Sequence, residues 1–474
     1  MPLVLLYGVT NCSERYSVKP HRVPSKRKPL TPLETALGSQ RIMTDPTAPA
    51  KRPRVVIVGG GFGGLSLAQS LKHAPVDVIL VDRANHHLFQ PLLYQVATSI
   101  LAPGDIGAPI RQLLAPQANA SVFMAEVSGV DVARKQVLVD YLNRRGVPFK
   151  YDYLVLATGA SHNYFGHEEF AEFAPGLKQL TDATTIRDRI LRAFEIAEEV
   201  ADPQMHRDLL TFVLVGGGAT GVEMAGSIAE LRRFTLKSEF RRVNPADARI
   251  ILIEGSPRVL GTFHPDLSRA AQKQLEHLGV EVRTGVHVTK IDAGGVMIGD
   301  ERIASRTVIW TAGVKPSPAS KWLNVPADKA GRVLVQSDCS VTDRPGVFVI
   351  GDTACFMADG KPLPGVAQVA LQQGQHVASV IEAQIGGHNP PAPFKYFDKG
   401  SMAIVGRNFA VMEAGRIRLS GFIAWIAWAL IHVLFLAAFG NRISVVTQWI
   451  WTYLSHKRGS RLILGSGGKN PLFE

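Results

Sequence analysis

Two sets of glycines carry the chemistry that can be read most directly from this chain. Gly59, Gly61 and Gly64 have the G-x-G-x-x-G spacing, and Gly216, Gly218 and Gly221 repeat it within GGGATGVEMAGSIAEL. In that spacing the first glycine allows a tight turn out of a strand, the second lets a pyrophosphate approach the backbone, and the third lets helix and strand pack closely. The helix that follows offers free N–H groups and a positive dipole end to phosphate. An acid at a strand end follows each set: Asp82, 18 residues past Gly64, and Glu254, 33 residues past Gly221. A carboxylate there can accept from ribose hydroxyls. At Glu254 it would bind a free 2′-hydroxyl and repel a 2′-phosphate, a preference for NADH over NADPH.

The elements needed to hold these residues are legible around them. Arg54 to Val58 is a β-branched run that reads as a buried parallel strand. A helical pattern follows (Leu65, Leu67, Ala68, Leu71), then the apolar strand Val76 to Val81 ending on Asp82. The second unit repeats the plan. A strand from Leu210 to Val215 precedes a helix with Val222, Ala225, Ile228 and Ala229 on its inner side, and a strand from Arg249 to Ile253 ends on Glu254. A basic piece (Arg232, Arg233, Lys237, Arg241, Arg242) extends that helix and absorbs the long gap as a surface insertion. Each unit is followed by a buried strand ending in small residues, Ala157-Thr158-Gly159 and Thr311-Ala312-Gly313, which suggests an internal duplication. Small residues there let a ligand or another backbone come close. A further strand, Val347 to Ile350, leads to Gly351 and Asp352, an acid at a strand's carboxyl end where the sheet's crevice holds ligands. The fold class expected is α/β, with two Rossmann-like dinucleotide-binding domains.

Three other stretches have more than one reading. From His86 to Ala97 apolar and amide groups alternate and Pro91 breaks any helix; the stretch either lines a cofactor's ring system or is a core loop with satisfied amides. Gly365 to Gly374 reads as a helix with Gln368 and Gln372 four apart on one side. Those amides either bond a neutral carbonyl substrate or form the polar edge of a packed helix. The charged helix from about Ala183 to Val200 reads as a solvated outer face.

The chain has 474 residues and a formal net charge of +12, which points to an anionic partner. No nucleic-acid motif is present, so anionic lipid is favoured over nucleic acid. Cys12, Cys339 and Cys355 are too few and too scattered for a disulfide framework, a zinc site or a thiolate-held cluster, so any electron carrier is organic. Residues 1–50 are basic, proline-dotted and aperiodic. They read as a disordered tail, or as sequence upstream of a start at Met43, in preference to a targeting peptide. At the other end, Gly421 to Gly440 contains no formal charge and only His432 as a strongly polar group. The following Ile443 to Leu454 is amphipathic, and Lys457, Arg458 and Arg461 come next. A spanning helix, a pair of helices lying in one leaflet and a buried hairpin compete here. The second fits best, since an amphipathic basic partner directly follows the apolar one and tryptophans cluster in both.

The residues of HLFQPLLYQVAT (His87 to Thr98), GGGATGVE (Gly216 to Glu223), FVIGD (Phe348 to Asp352), AQVALQQG (Ala367 to Gly374) and the run from Phe397 to Leu454 resemble the type II NADH dehydrogenases, the non-pumping NADH:quinone oxidoreductases. The resemblance spans about Arg54 to Leu464. It implies FAD, tightly but not covalently held, at Gly59, Gly61, Phe62, Gly63, Asp82, Thr158, Gly159 and Asp352. It implies NADH at Gly216, Gly218, Thr220, Gly221 and Glu254, with Ala312 and Gly313 beside it. Glu223 matches the family acid near the nicotinamide, and Gln368 and Gln372 match its quinone-side amides. The domains expected are 51–165 and 315–395 for FAD, 166–314 for NADH and 396–474 for membrane anchoring. A ubiquinone or menaquinone, anionic lipid and a homodimer through C-terminal contacts are the implied partners. The implied place is the cytoplasmic face of a bacterial inner membrane, ahead of a mitochondrial one. Disulfide reductases and sulfide:quinone reductases are rivals that need a paired redox cysteine; ferredoxin-type reductases have no use for the greasy end; a non-enzymatic redox-sensing membrane flavoprotein would need a blocked nicotinamide pocket.

Overall fold

The computed structural model describes residues 52–464 apart from Ser238; the expectation for residues 1–50 lies outside them. In chain order, β1 (Arg54–Val58) leads into α1 (Phe62–Ser70) and β2 (Asp77–Asp82). A short helix, α2 (Leu93–Ala97), precedes β3 (Ala120–Met124), β4 (Tyr153–Leu156) and the long α3 (Leu180–Glu199). Then come β5 (Thr211–Val215), α4 (Ala219–Glu230), β6 (Arg249–Glu254), β7 (Val280–Thr284) and β8 (Thr307–Trp310). The chain returns through β9 (Arg344–Val349) and α5 (Ala367–Gly386). Three short antiparallel strands between Ser401 and Gly421 lead to α6 (Phe422–Phe435) and α7 (Phe439–Ser455).

Two parallel sheets organise these elements. The first runs β9-β4-β1-β2-β3, with the short antiparallel strand Ser340–Val341 at its edge beyond β9. The second runs β7-β6-β5-β8. Past their first residues, Arg54 and Thr211, β1 and β5 are apolar, as a strand covered on two faces must be: Val55, Val56 and Ile57 are fully buried, and so are Phe212, Val213 and Leu214. Because β9 completes the first sheet after the whole second sheet has been made, the first unit is discontinuous in sequence. Parallel strands put all their carboxyl ends on one edge, so the residues after β1, β4 and β9 meet there although 300 residues separate the first from the last.

Four expectations are corrected. α3 is no solvated face. It begins at Leu180, and Ala183, Ile186, Ile190, Ala193, Phe194 and Ala197 are buried in the largest core cluster; most of its charges occupy the opposite stripe, but Arg187 is buried as well. Pro91 does not abolish helix. It sits in a single 3-10 turn, Gln90–Leu92, from which α2 starts, in keeping with proline's tolerance at a first helical turn. Helix α4 stops at Glu230 and passes into a turn of π-helix, Leu231–Thr235. The apolar run Gly421 to Gly440 is broken at Leu436, so α7 begins at Phe439 and not at Ile443. At 14 residues α6 reaches about 21 Å, short of the roughly 30 Å of a hydrocarbon core, and among the described residues no helix is long and apolar enough to cross a membrane.

α1 and α5 cross at bare backbone. A Cβ at Gly374 would collide with the Gly63 carbonyl oxygen and lie 3.1 Å from the Leu67 nitrogen. Replacing Gly374→Ala should therefore force the helices apart and lower stability by about 1–3 kcal/mol, read as a fall in the midpoint of thermal unfolding.

Candidate functional site

The two glycine turns are built alike. Gly59 follows β1 with φ 104° and Gly216 follows β5 with φ 114°, a region open to glycine. A Cβ at Gly59 would run into the Ala157 carbonyl, and one at Gly216 would stand 2.6 Å from the Ala312 nitrogen. The third glycines, Gly64 and Gly221, press on the carbonyl oxygens of Gly59 and Gly216. By contrast a Cβ at Gly61 or Gly218 would meet nothing within 4 Å. Those two glycines cap α1 and α4, whose first turns have neither a side-chain cap nor an acid. Each turn thus leaves open space in front of unpaired helix N–H groups, which suits a pyrophosphate.

The acids at the strand ends are placed alike too. Asp82 accepts from Gly60 N at 2.6 Å and Ala84 N at 2.7 Å; Glu254 accepts from Gly217 N at 2.5 Å and Ser256 N at 2.7 Å. Glycine N–H and a residue two places on hold each carboxylate in the position from which its remaining lone pairs can take ribose hydroxyls.

At the edge of the first sheet the structure brings together Gly59, Gly61, Phe62, Gly63, Asp82, Thr158, Gly159 and Asp352. Thr158 Oγ1 contacts Thr353 Oγ1 at 3.2 Å, and Thr353 donates to the Gly159 carbonyl at 3.1 Å. Gln373, which is buried, accepts from Gly351 N at 2.7 Å and so sets the strand end that carries Asp352. Lys178 Nζ lies 4.0 Å from Asp352. His87 Nδ1 meets the Gly60 carbonyl at 2.9 Å, and burial lowers its pKa below the ordinary 6.5. Phe62 stands edge-on to His87 and Phe89, with ring centres 5.2 and 5.9 Å away.

At the second edge Gly216, Gly218, Thr220, Gly221, Glu254, Ala312 and Gly313 converge. Thr311 Oγ1 donates to the carbonyls of Val215 and Gly216 at 2.9 and 2.8 Å. The two edges are tied by Ser317, four residues past Gly313, whose hydroxyl bonds Thr158. Phe165, left-handed at φ 54° and 63% exposed, lies over Gly313.

Glu223 sits one turn into α4 and is buried. The Ile404 N–H, 3.4 Å away, is a weak partner, and burial pushes the carboxyl up to about 8. Next to it Tyr94 is also buried; burial first, then the Glu223 charge, hold its phenol well above the ordinary value. Tyr94 Oη accepts from Gln95 Nε2 at 3.0 Å, and Gln95 Oε1 accepts from Trp449 Nε1 of α7 at 2.7 Å. Gln95 is therefore satisfied inside the core, as one of the two readings of His86–Ala97 requires. Behind it the buried Arg458 donates to the carbonyls of Thr98 at 2.7 Å and Ser227 at 3.1 Å, with Glu230 3.7 Å away.

Gln368 and Gln372 do share one side of α5, and both reach loop 396–400. Gln368 donates to Gly400 O at 2.9 Å and accepts from Lys399 N at 3.1 Å. Gln372 does both with Phe397, each at 2.9 Å. Lys399 in turn lies over the Phe435 ring of α6, 5.1 Å from its centre. Tyr396 Oη also donates to Gln368 Oε1 at 3.5 Å. These amides join the first cradle's helix to the C-terminal hairpin while keeping a second N–H donor each.

Sequence reasoning misses Lys178, Gln373, Gln95 and Phe165; Gln95 and Gln373 sit in stretches that the sequence marks, but nothing near Lys178 or Phe165 marks them. Arg458, expected among the basic residues beside the lipid, is instead buried on the Thr98 and Ser227 carbonyls. Among the described residues no metal-binding group is found, and Cys339 and Cys355 are free and buried, with no redox pair.

Residues 53–374 match the family model of the pyridine nucleotide-disulphide oxidoreductases. The chain is 46% identical to the type II NADH:quinone oxidoreductase Ndh of Mycobacterium tuberculosis, over 88% of this chain and 92% of that protein. It is 42% identical to NdhA of the same organism, described likewise as a type II NADH:quinone oxidoreductase, over 88% and 91%. Its fold is similar to that of NDH2 from Plasmodium falciparum solved with NADH, at a TM-score of 0.79 and 20% identity over 88% of this chain and all of that one.

The raised carboxyl of Glu223 has a consequence for stability. The folded chain keeps a proton at this site that the unfolded chain releases above its ordinary 4.5. The stability it contributes is whole below pH 4.5 and is lost as pH rises through about 8. Glu223→Gln should therefore melt progressively higher than the parent between those pH values. Parallel melting curves would show that Glu223 ionises normally.

Proposed function

The chain belongs to the pyridine nucleotide-disulphide oxidoreductases and, within them, to the type II NADH:quinone oxidoreductases, and from this we propose a working account of its site. The protein oxidises NADH and reduces a quinone to quinol without pumping protons. FAD supplies the two-electron carrier between nicotinamide and quinone. The observation that carries the account is the pair of matched turns, each with open space at Gly61 or Gly218 and each with its acid already held.

In this account 51–165 and 315–395 form the FAD domain and 166–314 the NADH domain. Gly59, Gly61, Phe62 and Gly63 take the FAD pyrophosphate, and Asp82 takes the adenosine ribose. Thr158, Gly159 and Asp352 complete that site. Gly216, Gly218, Thr220 and Gly221 take the NADH pyrophosphate, Glu254 the ribose, and Ala312 and Gly313 leave room for the nicotinamide end. Glu223 stands in the core behind that end as a neutral acid at pH 7, able to hold and release a proton at Oε1 or Oε2. Gln368 and Gln372 hold loop 396–400 and offer their remaining amide groups to a quinone carbonyl.

Residues 396–474 place this site against a membrane. The exposed face of the hairpin carries Ile423, Leu430, Leu434, Phe439, Ile443, Ile450 and Leu454, each more than half exposed. Contiguous apolar exposure of this kind marks a lipid or partner surface, and short, oily, tryptophan-bearing helices suit the interface of one leaflet. His432 faces inward, bonded to Trp428 O at 2.7 Å and stacked on that ring, and burial drops its pKa to about 4, so it brings no charge to the lipid. Anionic lipid, the cytoplasmic face of a bacterial inner membrane and a homodimer through C-terminal contacts complete the account.

Purified protein should consume NADH in the presence of a short-chain quinone, followed at the nicotinamide absorbance band, and NADPH far more slowly. Glu254→Gln should raise the KM for NADH about tenfold or more and narrow the gap to NADPH, since it loses a charged acceptor of two ribose hydroxyls. Equal rates with both nucleotides in the parent would overturn the role of Glu254. Gln368→Leu should cut quinone reduction by roughly tenfold while reduction of ferricyanide by NADH stays unchanged; parallel loss of both would move Gln368 out of the quinone site.

A further inference from the structure

The stretch between α4 and β6 is longer than a dinucleotide fold needs, and its extra residues have a defined structure. The π-turn Leu231–Thr235 prolongs α4; such turns are rare and concentrate at functional places. It parts two adjacent arginines. Arg232 is turned toward the protein and donates to the carbonyl oxygens of Ala248 and, at 3.0 Å, of Gly279, which fastens the segment. Arg233 and Lys237 are exposed. Among the described residues, the ion pairs at this end are Arg461–Glu239 and Arg458–Glu230, and neither Arg233 nor Lys237 takes part in them. Between these two cations Phe234 is 43% exposed, with the Arg233 guanidinium 5.4 Å from its ring centre.

The turn is continuous with the exposed hairpin. Phe234 stacks on His456, ring centres 5.5 Å apart, and Thr235 Oγ1 donates to the His456 carbonyl at 3.2 Å. His456 is the C-cap of α7, two residues past Leu454, which is 74% exposed. Lys457, also exposed, follows it. The apolar face therefore ends in a rim of three cations, Arg233, Lys237 and Lys457, with one aromatic ring among them.

We propose that the turn at residues 231–237 is a second membrane contact, in which Arg233 and Lys237 bind the headgroups of anionic lipid and Phe234 enters the headgroup layer. The proposal rests on the reading of the hairpin as the lipid face and adds a contact made by the nucleotide-binding body itself. Cations on a long stem beside an oily face can reach phosphates while the face is immersed. Each basic residue at an anionic surface strengthens binding about fivefold. Two points of attachment, hairpin and turn, also fix the tilt of the protein on the surface, which a hairpin alone leaves free to rock.

The test is flotation of the flavin-loaded full chain with phosphatidylcholine vesicles, with and without phosphatidylglycerol. The parent is compared with R233E/K237E and with R145E/K150E, which makes the same change in net charge at two exposed residues on and beside the strand Val147–Lys150. Flavin content and melting temperature confirm that all three are folded. R233E/K237E should bind the anionic vesicles at least about tenfold more weakly and the neutral ones as the parent does, while R145E/K150E keeps most of the anionic binding. Salt should erase the parent's advantage on anionic vesicles. The proposal is overturned if R233E/K237E floats with anionic vesicles like the parent, or if R145E/K150E loses as much. A parent that leaves neutral vesicles unbound overturns the hairpin reading instead, and the two failures are told apart by which vesicle shows them.

Discussion

A carboxylate bonded to the backbone N–H of a glycine fixes both halves of this molecule. Asp82 holds Gly60 and Glu254 holds Gly217, and each also holds the residue two places beyond itself. The contact ties the end of one strand to the turn leaving its neighbour, so the helix start and the strand-end acid cannot move independently. It also explains why the acid must follow the second strand of each unit. Only there do parallel strands bring its side chain beside the glycine turn. A shorter or neutral side chain would leave a backbone donor without its charged acceptor, at a cost of about 1–3 kcal/mol.

The second dependency runs from the nucleotide edge to the oily hairpin. α2 lies against α3 and α4 in one core cluster, so the segment that touches Gly60 through His87 also reaches Glu223 through Tyr94. Gln95 then hands the connection to Trp449, and Arg458 closes the far side on Thr98 and Ser227. Burial lowers the pKa of that arginine to about 10, with Glu230 opposing the shift, and it remains a cation at neutral pH. A buried cation of this sort is tolerated when carbonyl oxygens and an acid surround it. The C-terminal helices are thereby keyed into the body of the protein by directional bonds, in addition to apolar packing.

Much of the architecture was legible in the residues, because each cradle is local. In the first cradle a strand, three glycines, a helix and an acid lie within about thirty residues, the second is lengthened only by its insertion, and each type has one physical job. The return of β9 to the first sheet was not legible from FVIGD, which shows only a strand ending on an acid; the family resemblance implied it. The misreadings share a cause, which is tertiary context. The charges of α3 advertise a surface, yet its other stripe carries Ile186, Ile190 and Phe194 into the core. The run Gly421 to Gly440 has the length of a spanning helix, and only the break at Leu436 divides it. Lys178 and Arg458 gain meaning from partners 174 and 231 residues away, a distance over which no pattern in the chain points.

Gln368 and Gln372 sat evenly between two readings, and the fold shows why neither alone is adequate. Each amide spends one donor and one lone pair on the backbone of loop 396–400. That looks like a packed polar edge. Yet the loop they hold also carries Lys399, whose ammonium rests on Phe435 in the hairpin. An amide has two donors and two lone pairs; Gln368 Oε1 takes both Lys399 N and Tyr396 Oη, so holding the loop leaves each amide one N–H free. A pair of glutamines thus does what a pair of apolar residues could not. It fixes the passage between the first cradle and the C-terminal helices, and it keeps N–H groups that can still donate.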